Sequence, residues 1–276
     1  MKYSFKTTQK IKLSEAIRSN VPGLKKGRDK SLVSAREAKV NGNRVSGDID
    51  LNSGDIVDVF VPEAYVGVIE IKIIYSDNYI VIVDKPVHTD TQTDLPKLLA
   101  PKFGNTYPAH RLDTNTTGIV VLARTLRAHT ALTSGFKSRR VTKAYVATVR
   151  GKMQTERGLL KHYLVKDEQS GTVKVFDEKV GESMDAVTAY VVLSADGDTS
   201  RLLLYPHTGR THQLRAQLAF VGKPIIGDGK YGDFEANKKY GASMQKLRAV
   251  SIKFEGLKEP LEYLNEKTFS TEEYYE

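Results

Sequence analysis

The sequence predicts an α+β protein: a small N-terminal unit, then a larger domain built on a mixed, mostly antiparallel sheet. Three observations carry this. Alternating or apolar runs of strand length recur along most of the chain. The helical patterns between them are few and short, so the strands are not joined by the regular crossover helices of βαβ winding. Pro62-Glu63-Ala64-Tyr65-Val66-Gly67 breaks the strand pattern and sets domain limits at 1–62 and 63–276.

The elements follow in order. Leu13 to Arg18 and Lys30 to Ala38 read as two short helices. Val40-Asn41-Gly42-Asn43-Arg44-Val45 sets Asn-Gly between apolar residues, a strong hairpin signal. A Gly54-Asp55 turn leads into a strand over Ile56 to Val61. The cluster Lys25-Lys26-Gly27-Arg28-Asp29-Lys30 is either a solvated loop or a grip for phosphates. In the second domain, Val68 to Tyr75 and Tyr79 to Lys85 flank a Ser76-Asp77-Asn78 turn and form a hairpin halted by Pro86. Leu126 to Gly135 is helical. Val141 to Val149 alternates as a strand, putting Tyr145 on the face of Ala147 and Val149. Further strands are expected at Gly171 to Phe176, Ala186 to Leu193 and Arg201 to Tyr205. Leu214, Leu218 and Val221 fall at helical spacing before Gly222 and Pro224, so a helix of about three turns begins near Thr211.

Composition narrows the function classes. Lys+Arg number 42 against 33 Asp+Glu in 276 residues, a formal charge of +9. Such a balance favours a polyanionic partner, nucleic acid first. No apolar run is long enough to span a bilayer and no basic stretch has a strong apolar face, so no membrane partner is expected. The first residues lack the apolar core of a signal peptide, and the absence of cysteine excludes disulfides, zinc ribbons and thiol nucleophiles. A cytoplasmic monomer is expected. Six scattered histidines show no HExxH or similar spacing, so no metal is expected.

Two stretches concentrate the chemistry. Ala109-His110-Arg111-Leu112-Asp113-Thr114-Asn115-Thr116-Thr117-Gly118 places one carboxylate in a turn-rich segment that empties into the apolar run Ile119 to Ala123. Asp113 is either a reactive group fixed on a rigid strand or a turn cap paired loosely with Arg111. The second stretch runs from Pro206 to Pro224. Its Thr208-Gly209-Arg210-Thr211 turn at a helix start offers backbone amides and a guanidinium to an anion, and Arg210, His212 and Arg215 crowd together there. Arg215 lies one turn in, placed so that it can face the sheet.

Three groups of residues carry a resemblance. They are His110-Arg111-Leu112-Asp113 with Thr117-Gly118 and Ala123-Arg124-Thr125; Lys143-Ala144-Tyr145 with Gly151; and Thr208 to Arg215 with Pro224-Ile225-Ile226-Gly227-Asp228 and Tyr231-Gly232. In that order they resemble the RluA family of pseudouridine synthases, from about Ile71 to Ala249. The helix pair, Asn-Gly hairpin and Ser53-to-Phe60 strand ahead of them resemble the S4-type RNA-binding module, although Ser31 to Glu37 lacks much of that module's basic character. The resemblance implies an RNA-modifying isomerase, acting on uridine in ribosomal large-subunit RNA or alternatively tRNA, with no cofactor. It implies Asp113 as catalytic aspartate, Tyr145 as active-site tyrosine and Arg215 as the arginine pairing with the aspartate. Arg111 would help hold a flipped nucleotide, and His110, Arg210, His212 and Lys85 would join it in substrate binding.

Some positions depart from the family pattern: Thr117 for serine, Gln217 for histidine, Arg248 for the histidine of "LHA", and Val87-His88-Thr89 without a glycine after Lys85-Pro86. Breaking C1′–N1 and joining C1′ to C5 needs one carboxylate beside the ribose, attacking C1′ or removing the C2′ proton. A base inside a helix must be flipped out first. The alternative is a non-catalytic RNA-binding or ribosome-assembly protein on the same fold.

Overall fold

The computed structural model describes residues 1–271 apart from 22, 26, 68, 168–170 and 243. The chain folds as two compact units, residues 1–70 with 87–89 and residues 71–86 with 90–276. The first unit runs past residue 62 because the segment expected as a linker packs on it. Lys25 N–H donates to Tyr65 O, Gly67 N–H to Gly23 O, and Tyr65 and Val66 lie against the local core.

In this unit the elements are β1 (Lys2–Lys6), β2 (Ile11–Lys12), α1 (Leu13–Asn20), α2 (Arg28–Ser34), β3 (Ala38–Val40), β4 (Asn43–Arg44), β5 (Asp50–Leu51) and β6 (Ile56–Phe60). A sheet in the order β1-β6-β3-β4 covers the two helices, with β2 and β5 paired beside it. Asn41 and Gly42 both have positive φ, at 50° and 82°, as a two-residue hairpin turn of the right twist requires. Leu13, Ile17, Leu32, Val57 and Val59 are fully or almost fully buried and make the core. Helix α2 is shorter than expected, since Ala38 already pairs with Val59 in the sheet. Of the cationic cluster, Lys25 donates to Ala64 O and Arg28 lies over the Tyr65 ring at 4.5 Å, while Lys26 falls outside the described residues.

The second unit comprises β7 (Lys72–Ser76), β8 (Ile80–Lys85), α3 (Asp94–Phe103), β9 (Tyr107–Pro108), β10 (Thr117–Ala123), α4 (Leu126–Lys137), β11 (Val141–Arg150), β12 (Arg157–Asp167), β13 (Thr172–Phe176), β14 (Met184–Asp196), β15 (Thr199–Pro206), α5 (Gln213–Phe220), α6 (Phe234–Lys239), β16 (Leu247–Phe254) and β17 (Thr268–Ser270). Its sheet runs β13-β12-β14-β15-β11-β16-β10-β8-β7, with β9 added on β10 and β17 on β16. All pairings are antiparallel except β10 with β16. The centre of the sheet is buried on both faces. Val81 and Val83 of β8 and Val120 and Leu122 of β10 join one core, while Ile80, Ile82, Ile119 and Val121 join another beneath α4. Among the described residues no helix is long and apolar enough to cross a membrane.

Helix α3 and strands β12 and β16 were not expected from local pattern. Strand β12 carries lysines and a histidine among its apolar residues, and its eight-pair register with β14 supplies the organisation that its own pattern lacks. Strand β14 is longer than the expected 186–193 for the same reason: both neighbours extend its ladder.

The two halves of the sheet meet at one short parallel contact, Thr117 opposite Arg248 and Gly118 opposite Ala249. Gly118 has φ of 108°, and a Cβ there would lie 2.0 Å from Ala249 O. Only glycine allows the backbones to approach so closely at that conformation. Gly118→Ala is therefore expected to cost at least about 2 kcal/mol and to lower the Tm by roughly 5 °C or more. Thermal unfolding checks this, and an unchanged Tm would mean that the two strands part without cost.

Candidate active site

The segment that carries Asp113 is fixed by its neighbours rather than by its own side chains. Thr116 N–H donates to Asp113 O at 2.9 Å, so the turn closes through backbone. Thr91 Oγ1 accepts from Leu112 N–H and donates to Leu112 O, and Gln245 Nε2 donates to Thr116 Oγ1 at 2.6 Å. Lys85 Nζ donates to Thr114 O and Pro86 O. The Asp113 carboxylate is thus not spent on capping this turn. Lys85 departs from expectation. It is fully buried behind the segment, where burial pulls its pKa down to about 8 against the pull of Asp113, and it braces the turn instead of reaching the cavity.

Asp113 instead meets Arg215. On α5, Arg215 is turned inward to 8% exposure, and its Nη1 donates to Asp113 Oδ2 at 2.8 Å. The opposite edge of the guanidinium is held by Asp228, Nε to Oδ2 at 2.7 Å and Nη2 to Oδ1 at 2.9 Å. Asp228 Oδ1 also accepts from the amides of Lys230 and Tyr231. Burial works against the Arg215 charge, but the bonds and charges of Asp228 and Asp113 outweigh it and raise its pKa above the ordinary value. Burial likewise works against the Asp228 charge, and Arg215 and the two amides overcome it and lower that pKa. A bidentate pair of this kind leaves the arginine little freedom to turn. Tyr231 closes over the guanidinium at 5.2 Å.

His212 stands beside this pair, Nε2 lying 4.0 Å from Asp113 Oδ2. It caps α5 in the left-handed region with φ of 52°. Val173 N–H donates to the Tyr231 hydroxyl oxygen, and that hydroxyl shares a hydrogen bond with His212 Nδ1 at 2.9 Å, which fixes the ring's position. Burial pushes the His212 pKa down to about 4, despite Asp113, so the ring is neutral at neutral pH.

Asp113, Arg215 and His212 line a cavity of about 530 Å³ together with His110, Arg111, Tyr145, Lys143 and Arg210. Tyr145 is 6% exposed and shares its core with Ala147 and Val149. Burial, then the charge of Asp113, raises its pKa, so it is a neutral phenol. Arg111 is exposed and makes no hydrogen bond or ion pair among the described residues. Arg210 Nε donates to Asp185 O. His110 Nε2 accepts from Val121 N–H, its ring packs on Phe136, and burial drives its pKa to about 3.

Helix α5 starts two residues later than expected, and its entry is less open than the Thr-Gly-Arg-Thr pattern suggests. Arg210 N–H donates to Gln213 Oε1, which also takes the Thr208 hydroxyl, so that amide is not available to an anion. Gln217 is fully buried and ties α5 to β12 and β14 through Leu160 O, Ala186 O and Thr188 Oγ1. Asp228, Thr91 and Gln245 had no sequence signal for these contacts, because each acts across more than ten residues of chain.

The sequence pattern of RNA pseudouridylate synthases matches residues 78–220, more than half of the chain. The chain belongs to the RNA pseudouridylate synthase family. It is accordingly an isomerase acting on RNA. It is 34% identical over 197 residues to the dual-specificity RNA pseudouridine synthase RluA of Yersinia pestis, covering 65% of this chain and 90% of that one. It is 29% identical over 270 residues to the ribosomal large subunit pseudouridine synthase C of Haemophilus ducreyi, covering 88% and 84%. Human RNA pseudouridylate synthase domain containing 1 superposes with a TM-score of 0.61 at 30% identity, over 68% of this chain and 80% of that one. The mixed helices and large sheet are those of this fold.

Two half-buried histidines of this synthase, His212 and His110, make stability depend on pH. An unfolded histidine takes up its proton near pH 6.5, whereas folded His212 holds out to about 4 and His110 to about 3. Their contribution is complete above pH 6.5 and is lost as pH falls towards 4, by up to about 1.4 kcal/mol per pH unit for each ring. Urea unfolding across this range should show that slope, and His212→Asn should flatten it by about one proton. An equal slope in the variant would remove His212 from the account.

Proposed function

We propose that the chain converts uridine to pseudouridine in ribosomal large-subunit RNA, with Asp113 as its catalytic carboxylate. One observation carries the choice of Asp113: in a cavity otherwise lined by neutral or cationic side chains, its carboxylate is held by Arg215 through one oxygen only. Among the described residues the other oxygen accepts no hydrogen bond. An oriented carboxylate with one oxygen unbonded suits attack on C1′ or removal of the C2′ proton. In either route C1′–N1 breaks, the uracil turns, C1′–C5 forms, the C5 proton is lost to solvent and N1 takes up a proton, so that the product is an isomer of the substrate. Glycoside hydrolysis would ask for a second carboxylate across a water-sized gap, and Asp228 is already committed to Arg215.

The remaining roles follow from position. Tyr145, a neutral ring at the wall, packs on the uracil, and Arg215 orients the carboxylate. Arg111, exposed at the cavity and unpaired, supports extrusion of the base by filling the gap left in the RNA or gripping its backbone. The ribosomal target rests on coverage. The alignment with the large-subunit synthase of Haemophilus ducreyi spans 88% of this chain, too much to fit within residues 71–276, and so reaches the N-terminal unit. That unit, with its two helices and Asn-Gly hairpin, is read as an S4-like RNA-binding module.

Asp113→Asn should lower single-turnover conversion by at least about 10³-fold while RNA affinity and Tm hold, because phosphate contacts dominate affinity. Tritium release from C5-labelled uridine RNA reports conversion, and retained release would refute the assignment. Arg215→Lys keeps a charge but loses the planar fork, so turnover should fall more than affinity. Equal losses would make Arg215 a simple phosphate contact. Removing residues 1–62 should weaken RNA binding and flatten its dependence on salt, and an unchanged salt slope would deny that unit a part in binding.

A further inference from the structure

One corner of the cavity holds a cation with nothing to balance it. Lys143 lies on β11 two residues before Tyr145 and lines the same cavity. It is only partly exposed. Its nearest recorded partner is the face of Phe136, with Nζ 5.7 Å from the ring centre. A Cβ on Gly209 would sit 4.0 Å from Nζ, which places the ammonium against the loop that enters α5. Among the described residues no carboxylate lies within ion-pair distance of it. Asp113 does not serve: burial alone accounts for the lowered pKa of Lys143, with no acidic group near enough to oppose it.

The neighbours make the imbalance larger. His110 packs on the same Phe136 ring, at 4.6 Å between centres, and is close enough to feel the Lys143 charge. Because His110 Nε2 accepts from Val121 N–H, the neutral ring carries its proton on Nδ1, a buried atom with no hydrogen-bond partner. It can offer Lys143 no lone pair. Lys137, Arg139 and Arg210 complete this side of the cavity. Apart from Asp113, no acidic side chain among the described residues lines the cavity. An ammonium shielded from water without a counter-charge is costly, and an anionic ligand in the cavity would offset that cost.

We propose that Lys143 is the centre of a phosphodiester subsite, in which its ammonium, with Arg139 and Arg210 at the rim, binds a backbone phosphate flanking the uridine that enters the cavity. The proposal rests on the reading of this cavity as the uridine site. It separates two tasks along β11. Tyr145 meets the base, and Lys143, on the Phe136 side, holds the strand from which the base has been turned. A neutral acceptor such as a uracil carbonyl would leave the charge unbalanced, whereas a phosphate neutralises it and gains a charge-assisted bond.

The test uses the full chain and a synthetic RNA hairpin carrying one loop uridine that the wild-type protein converts. The same hairpin is also made with an uncharged methylphosphonate at the linkage on either side of that uridine. Lys143→Met should weaken binding about tenfold or more, lower the slope of log affinity against log salt by about one, and reduce affinity more than the saturating single-turnover rate. Its Tm should equal or exceed that of the wild type, since an unbalanced charge leaves the interior, and Lys143→Arg should recover much of the affinity. One of the two methylphosphonates should weaken the wild type and add nothing to the loss in Lys143→Met. Equal methylphosphonate penalties in both proteins, or a rate loss exceeding the affinity loss, would overturn the subsite. A wild-type protein that converts no uridine in any hairpin would instead refute the reading of the cavity, a separate failure.

Discussion

The buried guanidinium of Arg215 is the interaction on which the site depends. It stands between two carboxylates, Asp228 gripping one edge through two bonds and Asp113 taking the remaining Nη1. The asymmetry has a chemical consequence. Asp228, fully inside and also bonded to two amides, fixes the arginine, and the arginine then fixes Asp113 while leaving one of its oxygens uncommitted. A buried charge without such a partner would be strongly destabilising, so Arg215 depends on Asp228, whose two bonds hold the guanidinium whether or not Asp113 is charged.

The rigidity of Asp113 comes from the other direction as well. Its turn is pinned by Thr91, Lys85 and Gln245, three buried polar groups from separate parts of the chain, and it runs directly into the parallel contact of β10 with β16. The reactive segment is therefore seated on the joint between the two halves of the sheet, where Gly118 allows the backbones to close. A loop of threonines and asparagine that could adopt many conformations is held to one.

The electrostatics of the cavity suit an anionic polymer. The chain carries +9 overall, and around Asp113 the His110 and His212 rings are neutral, the tyrosine is protonated, and the lining lysines and arginines are cations. Such a surface draws in phosphates through long-range attraction, with the single carboxyl group of Asp113 held among its cations. Neutral His212 stands beside Asp113 without competing for the role of cation that Arg215 holds.

The sequence by itself determined the α+β class, the hairpin at Asn41-Gly42, the stop at Pro86, helix α4 and the alternating strand that buries Tyr145, because each is written in residues close together in the chain. It also brought Asp113, Tyr145 and Arg215 forward through their motifs. Tertiary structure decided what local pattern could not hold: strand β12, organised by its ladder with β14; the packing of residues 62–67 on the N-terminal unit; and the turning of Lys85 from cavity to brace. It alone decided that Arg215 faces inward, since a helix position one step from Leu214 becomes buried only when a sheet and a second carboxylate wait there. The pairing of Arg215 with Asp113 spans 102 residues, and no short-range pattern encodes a contact whose partners meet only when the whole sheet has closed.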